Sequence, residues 1–226
     1  MAAASLTGDA AATFIVIRSI RVTAMDRPPS SARAAVRRLS PNHPWPVTNL
    51  DRIAPDATVS GGNILSMLAA MGPFRRRGEQ ILEEHGIREV TPEAWYPLRP
   101  YVDSLLMIGE KMGPNTLFQI GRQIPHHVPL PPGIDTFEKV MASFGMAYDM
   151  NHRGVKQGVI PFTITDERHG TITTGTPYPC DFDRGVIQGF FAKLLSTRPI
   201  VDAVEGLPCK ARGGETCTYA ITLPAH

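Results

Sequence analysis

Apolar positions recur at helical spacing through the first half of the folded part of the chain. Ile64, Leu65, Met67, Leu68 and Met71 form one such series and stop at Gly72-Pro73, which predicts a first helix. A second is predicted from about Phe74 to His85, with Ile81 and Leu82 set among charges and Gly86 in a C-cap position. Leu98, Leu105, Leu106, Ile108 and Met112 mark a third, which tolerates Pro100 only in its first turn. Gly113-Pro114-Asn115 breaks it and opens a fourth, carrying Leu117, Phe118, Ile120 and Ile124. The proline-rich run from Ile124 to Gly133 predicts an extended loop, because a residue before proline is pushed away from helical angles. Asp135-Thr136-Phe137-Glu138 reads as a helix start, with a capping carboxylate and an acid three residues on. Phe137, Val140, Met141, Phe144 and Tyr148 run down that helix to Asn151-His152-Arg153-Gly154.

Beyond this point the period changes to that of strands. Residues 159–165 and 171–174 flank Asp166-Glu167-Arg168-His169-Gly170 and predict a hairpin. Asp183 is placed to cap a helix that buries Val186, Ile187, Phe190, Phe191, Leu194 and Leu195. Residues 199–204 predict a third strand and 218–223 a fourth, joined through the turn Gly213-Gly214. There is no internal repeat. The order predicts an α+β fold: N-terminal helices packed on a C-terminal antiparallel sheet of two hairpins separated by a helix. Residues 58–226 are expected to form that single domain. Residues 1–57, Ala-rich and then Pro/Ser/Arg-rich, are expected to be a flexible extension, with Phe14 to Val22 a candidate strand. Translation starting near Met25 would make residues 1–24 non-native.

Composition narrows the function classes. The net charge of +2 carries no nucleic-acid signal, and the positive excess sits in residues 1–50, which hold six Arg against two Asp. No run approaches the roughly 18–20 apolar residues of a membrane helix. The apolar patch Phe14-Ile15-Val16-Ile17 has no basic residue before it, so a secretory signal is not expected. Three cysteines cannot all pair with one another, which argues against a disulfide framework and for a cytoplasmic protein with thiols available to a metal or ligand.

All three cysteines, Cys180, Cys209 and Cys217, fall in one stretch, where a helix and then a Gly-rich loop can fold their sulfurs together. The seven-residue gap between Cys209 and Cys217 is wider than a tight metal knuckle. Cys217 also shares strand parity with Tyr219, Ile221 and Leu223, so a plain core cysteine is the alternative. Phe137, Met141, Phe144, Tyr148, Leu117 and Phe118, with Met107, Met112, Met146 and Met150 nearby in sequence, are candidates to line an apolar cavity or simply to pack a core. His152 follows a helix end, where it is a functional candidate or a favourable C-terminal charge; His126 and His127 lie in the proline-rich loop.

The text from Gly158 to Thr176, the helix from Arg184 to Leu195, and the ending Pro208-Cys209-Lys210-Ala211-Arg212-Gly213-Gly214-Glu215-Thr216-Cys217-Thr218-Tyr219 resemble a ligand-binding domain of the 4-vinyl reductase type. That group includes haem-NO-binding sensors and small subunits of the vesicle-transport particle. The segment Met146–Gly154 resembles an uncharacterised bacterial branch of it. The resemblance covers roughly residues 60–224. It implies a zinc held by Cys180, Glu205, Cys209 and Cys217, although Glu205 stands four residues before Cys209 where the pattern has three. Asp181 and Asp183 are the alternatives for the fourth ligand. It further implies a sensor or carrier of a small hydrophobic or aromatic molecule, lined by Phe118, Phe137, Met141, Phe144, Tyr148 and His152, and a homodimer. Two other readings stay open. One is an enzyme or accessory protein acting on a tetrapyrrole or similar substrate, with Tyr148, His152 and Arg153 for proton transfer and anion binding. A haem or other tetrapyrrole cofactor belongs to that reading, although no residue pattern indicates it. The other is an adaptor that dimerises through helices.

Overall fold

The computed structural model of the protein describes residues 50–155 and 160–225. The candidate strand from Phe14 to Val22, most of the N-terminal extension and the predicted strand start at Val159 lie outside these residues. Among them are six α-helices and two antiparallel sheets.

Strand β1 (Thr58–Ser60) leads into α1 (Gly61–Ala70), and α2 (Arg75–Glu84) follows after a single 3-10 turn. Strand β2 (Trp95–Pro97) runs directly into α3 (Leu98–Met112). Pro100 falls in the first turn of α3, where its missing N–H costs nothing, and Leu98, Val102, Leu105 and Ile108 have no exposed surface. Helix α4 (Pro114–His127) is longer than the prolines predict. It runs through Pro125 because Ile124 and Pro125 are both buried, and packing holds the last turn that local geometry disfavours. Val128 then turns to extended angles.

The start of α5 (Phe137–Asn151) also differs from expectation. Thr136 is the cap, its hydroxyl accepting the Lys139 N–H at 3.2 Å, while Asp135 reaches the Lys139 ammonium at 2.6 Å. At its far end the chain passes directly into β3 (His152–Arg153), which pairs with β1. Strands β2, β1 and β3 form a small three-stranded sheet for which the sequence carries no periodic signal, each strand being two or three residues long.

The second sheet has the order β4-β5-β7-β6, from β4 (Phe162–Ile164), β5 (His169–Thr174), β6 (Ile200–Ala203) and β7 (Cys217–Thr222). Burial alternates along β5 and β7, so Ile172, Cys217, Tyr219 and Ile221 face one core. Helix α6 (Cys180–Leu195) covers that face, and Asp183 lies inside its first turn instead of capping it.

The apolar interior has two clusters, one under α1 to α4 and one between α5, α6 and the four-stranded sheet. Helices α4 and α6 join them by backbone contact. A Cβ on Gly121 would lie 2.2 Å from the Phe182 carbonyl oxygen, one on Gly185 2.2 Å from that of Phe118, and one on Gly189 2.3 Å from that of Arg122. Only glycine permits that approach. Residues 50–57, read from the sequence as the end of the extension, contribute the core residue Ala57 together with Leu50, Ile53 and Ala54 packed against it, and Arg52 pairs with Glu215. No helix of the described residues is long and apolar enough to cross a membrane.

Candidate functional site

The three cysteines come from three elements. Cys180 opens α6, Cys209 precedes a 3-10 turn, and Cys217 opens β7. Their sulfurs lie 3.3 Å (Cys180 to Cys217), 3.6 Å (Cys209 to Cys217) and 3.8 Å (Cys180 to Cys209) apart, all buried. These separations are far beyond the ~2.05 Å of a disulfide. They approach the ~3.8 Å edge of a tetrahedron built with ~2.3 Å zinc–sulfur bonds. The Cys209 loop is folded tightly around its own backbone: Arg212 and Gly214 N–H groups return to the Cys209 carbonyl, both at 2.9 Å, and Gly213 takes a φ of +86°. A Cβ on Gly214 would meet the Cys209 nitrogen at 2.8 Å, so the paired glycines are a requirement of the loop. Hydrogen bonds among the sulfurs push the Cys180 thiol pKa up and the Cys209 thiol pKa down.

Among the described residues no further His, Cys, Asp or Glu ligand atom joins this cluster. Glu205 is exposed. The β6 ladder continues only to the Val204 N–H, and the turn at Gly206 (φ +77°) carries Glu205 outward. Asp181 pairs with Arg184 at 3.1 Å, and Asp183 is committed elsewhere.

That commitment is to Lys210, which has no exposed surface. Its ammonium donates to Asp183 Oδ2 at 2.6 Å, to Thr176 Oγ1 at 3.1 Å, and to the carbonyls of Thr176 and Tyr178, each at 2.9 Å. Asp183 Oδ2 also accepts from the Thr176 and Thr174 hydroxyls. Burial lowers the Lys210 pKa, but Asp183 together with the Cys217 and Cys180 sulfurs raises it by more, so the ion pair persists. The Lys210 backbone N–H meanwhile donates to Cys217 Sγ at 3.2 Å. Lys210 therefore touches the cysteine cluster with its backbone and the Asp183 carboxylate with its side chain. Nothing in the spacing of the chain marks it.

Asp183 lies in the wall of a mainly apolar cavity of about 70 Å³ between α4, α5, α6 and β5. Ile124, Val128, Phe144, Ala147, Ile160, Val186, Ile187 and Phe190 give its apolar lining, and Tyr148, His152, Thr174, Thr176 and Tyr178 stand at its polar side. His152 is 7% exposed, with both ring nitrogens engaged. Its Nδ1 lies 2.8 Å from the Tyr148 carbonyl, which can only accept, so Nδ1 carries the proton and Nε2 accepts from the Tyr178 hydroxyl at 2.5 Å. Burial lowers its pKa to about 4, so the ring is neutral near pH 7. Tyr148 stacks on it with centroids 3.8 Å apart, and the Tyr148 hydroxyl is buried with no hydrogen-bond partner among the described residues.

Of the six residues expected to line a cavity, Phe144, Tyr148 and His152 do so. Phe137 packs on Phe191 and Met141 on Gly170 in the sheet core, while Phe118 supports the Arg184 guanidinium at 4.7 Å. Arg153 lies over the Trp95 ring at 3.9 Å and does not join Tyr148 and His152 at the cavity. His126 and His127 end α4 and are absent from the lining.

No protein-family model matches the chain, and no curated protein matches it. Solved structures do. An H-NOX protein from S. oneidensis in the Fe(II) ligation state is 14% identical with a TM-score of 0.55, over 73% of this chain and 96% of that one. A mutant of T. tengcongensis H-NOX is 14% identical with a TM-score of 0.52, over 74% and 98%. An oxygen-binding H-NOX domain related to soluble guanylate cyclases is 15% identical with a TM-score of 0.51, over 73% and 93%. The fold is H-NOX-like. A further neighbour concerns haem redox potential and porphyrin distortion. Haem does not fit the present chain as arranged: about 70 Å³ is far below the ~300 Å³ at which ordinary ligand pockets begin, and His152 Nε2 already holds Tyr178.

Proposed function

We propose that the chain is a small-molecule-binding sensor module, of the 4-vinyl reductase-like kind within the H-NOX-like fold. A small apolar molecule occupies the cavity beside α5 and α6, and Cys180, Cys209 and Cys217 hold a zinc ion that braces the start of α6 against β7. The position of Lys210 carries this reading, because one buried residue contacts both the sulfur cluster and the cavity wall. Occupancy of the cavity and integrity of the cluster are therefore linked through Asp183. The three sulfurs fit zinc in type and spacing; bound there, the ion supplies structural cross-linking. The fourth position goes to a donor other than Glu205.

Melting of the zinc-loaded chain with and without a strong chelator tests the brace. The expected result is a fall in Tm on chelation, restored by zinc and absent in Cys209→Ser, whose Tm already lies at the chelated value. A Cys209→Ser chain with unchanged zinc content and unchanged Tm contradicts the reading.

A further inference from the structure

The cavity pairs an apolar lining with one buried hydroxyl that has nothing to bond, at Tyr148. A buried polar group without a partner costs free energy, and a ligand that supplies the partner recovers it. Burial first and the Asp183 carboxylate second hold the hydroxyl protonated far above the usual tyrosine range, so it keeps a proton to donate to a ligand acceptor. Two neighbouring polar groups already have partners. Tyr178 donates to His152, and Asp183 accepts from Lys210, Thr174 and Thr176. The cavity thus offers one free donor in an apolar space, and it selects by charge as well. An anion meets Asp183 with no unpaired cation beside it, and a cation meets a carboxylate already neutralised by Lys210.

Size sets the remaining limit. A cavity of about 70 Å³ is less than half the ~150 Å³ that admits benzene, which leaves room for about three to five non-hydrogen atoms. The aromatic ligand expected from the sequence is therefore too large for this cavity as it stands.

We infer that the cavity binds small uncharged carbonyl compounds, with the carbonyl oxygen accepting from the Tyr148 hydroxyl and the alkyl groups against Phe144, Ile187 and Phe190. The inference rests on the ligand-binding reading above and names its ligand class. For so few atoms the dissociation constant is on the order of a millimolar.

2-Butanone and xenon are the probes, titrated into the full chain with labelled methyl groups on Ile124, Ile160, Val186 and Ile187. Both are expected to shift those methyls saturably. Tyr148→Phe should weaken 2-butanone at least fivefold and leave xenon binding unchanged. The infrared carbonyl stretch of bound 2-butanone should lie below its value in hexane, a readout that needs no variant. Equal ketone affinity in Tyr148→Phe, a stretch at the hexane value, or xenon binding without ketone binding overturns the inference while leaving the cavity reading in place. A chain that binds neither probe overturns both.

Discussion

His152 shows how much of the site is decided at single residues. A neutral, doubly bonded imidazole with a pKa of about 4 takes up no proton between that value and the ~6.5 of an exposed histidine, whereas the unfolded chain does. Stability is complete above about pH 6.5 and falls as the pH drops toward 4, by up to about 3 kcal/mol. Urea unfolding at pH 7 and pH 5 should show a loss of about 2 kcal/mol in the unmodified chain that His152→Gln lacks; equal losses would place the ring in water. Lys210 makes the opposite case, a charge that stays charged. Lys210→Met strands Asp183 in the interior and should cost about 3–5 kcal/mol in the same assay, with Asp183→Leu added to it recovering most of the loss. Neither residue's role is visible in spacing. A histidine after a helix end looks like a cap, and a lysine beside a cysteine looks like a solvated loop charge.

At the scale of elements, the helices were legible wherever the apolar stripe was long, as in α3 and α6, because burial of one face is what holds them. What escaped the sequence was set by contacts distant along the chain. Pro125 sits inside α4 because its surroundings are packed, and β1, β2 and β3 are too short to carry a period. The glycines of α4 and α6 are the strongest case, since helix propensity alone ranks them as defects. Gly185→Ala forces a Cβ to 2.2 Å from the Phe118 carbonyl. It should cost about 2–3 kcal/mol and lower the Tm by roughly 5–10 °C. A Tm unchanged in Gly185→Ala would mean that α4 and α6 stand further apart. The cysteine segment, by contrast, was readable as a unit: a helix followed by a Gly-rich loop brings the three sulfurs together. Only Glu205, inferred by resemblance, lies away from the cluster.

For the whole molecule, α4 and α6 join the two halves of the interior, and the cavity sits where α4, α5, α6 and the sheet meet. The likeness to H-NOX domains is one of overall fold, and the small cavity and the three-sulfur cluster are described from this chain's own residues. The central claim is that Cys180, Cys209 and Cys217 hold one metal ion that braces the ligand-binding fold. Native mass spectrometry of the freshly purified chain tests it most directly. The account predicts a species carrying one zinc ion per chain, lost in Cys209→Ser and retained in Glu205→Ala. A metal-free mass for the unmodified chain after zinc loading, or zinc lost in Glu205→Ala, would contradict it.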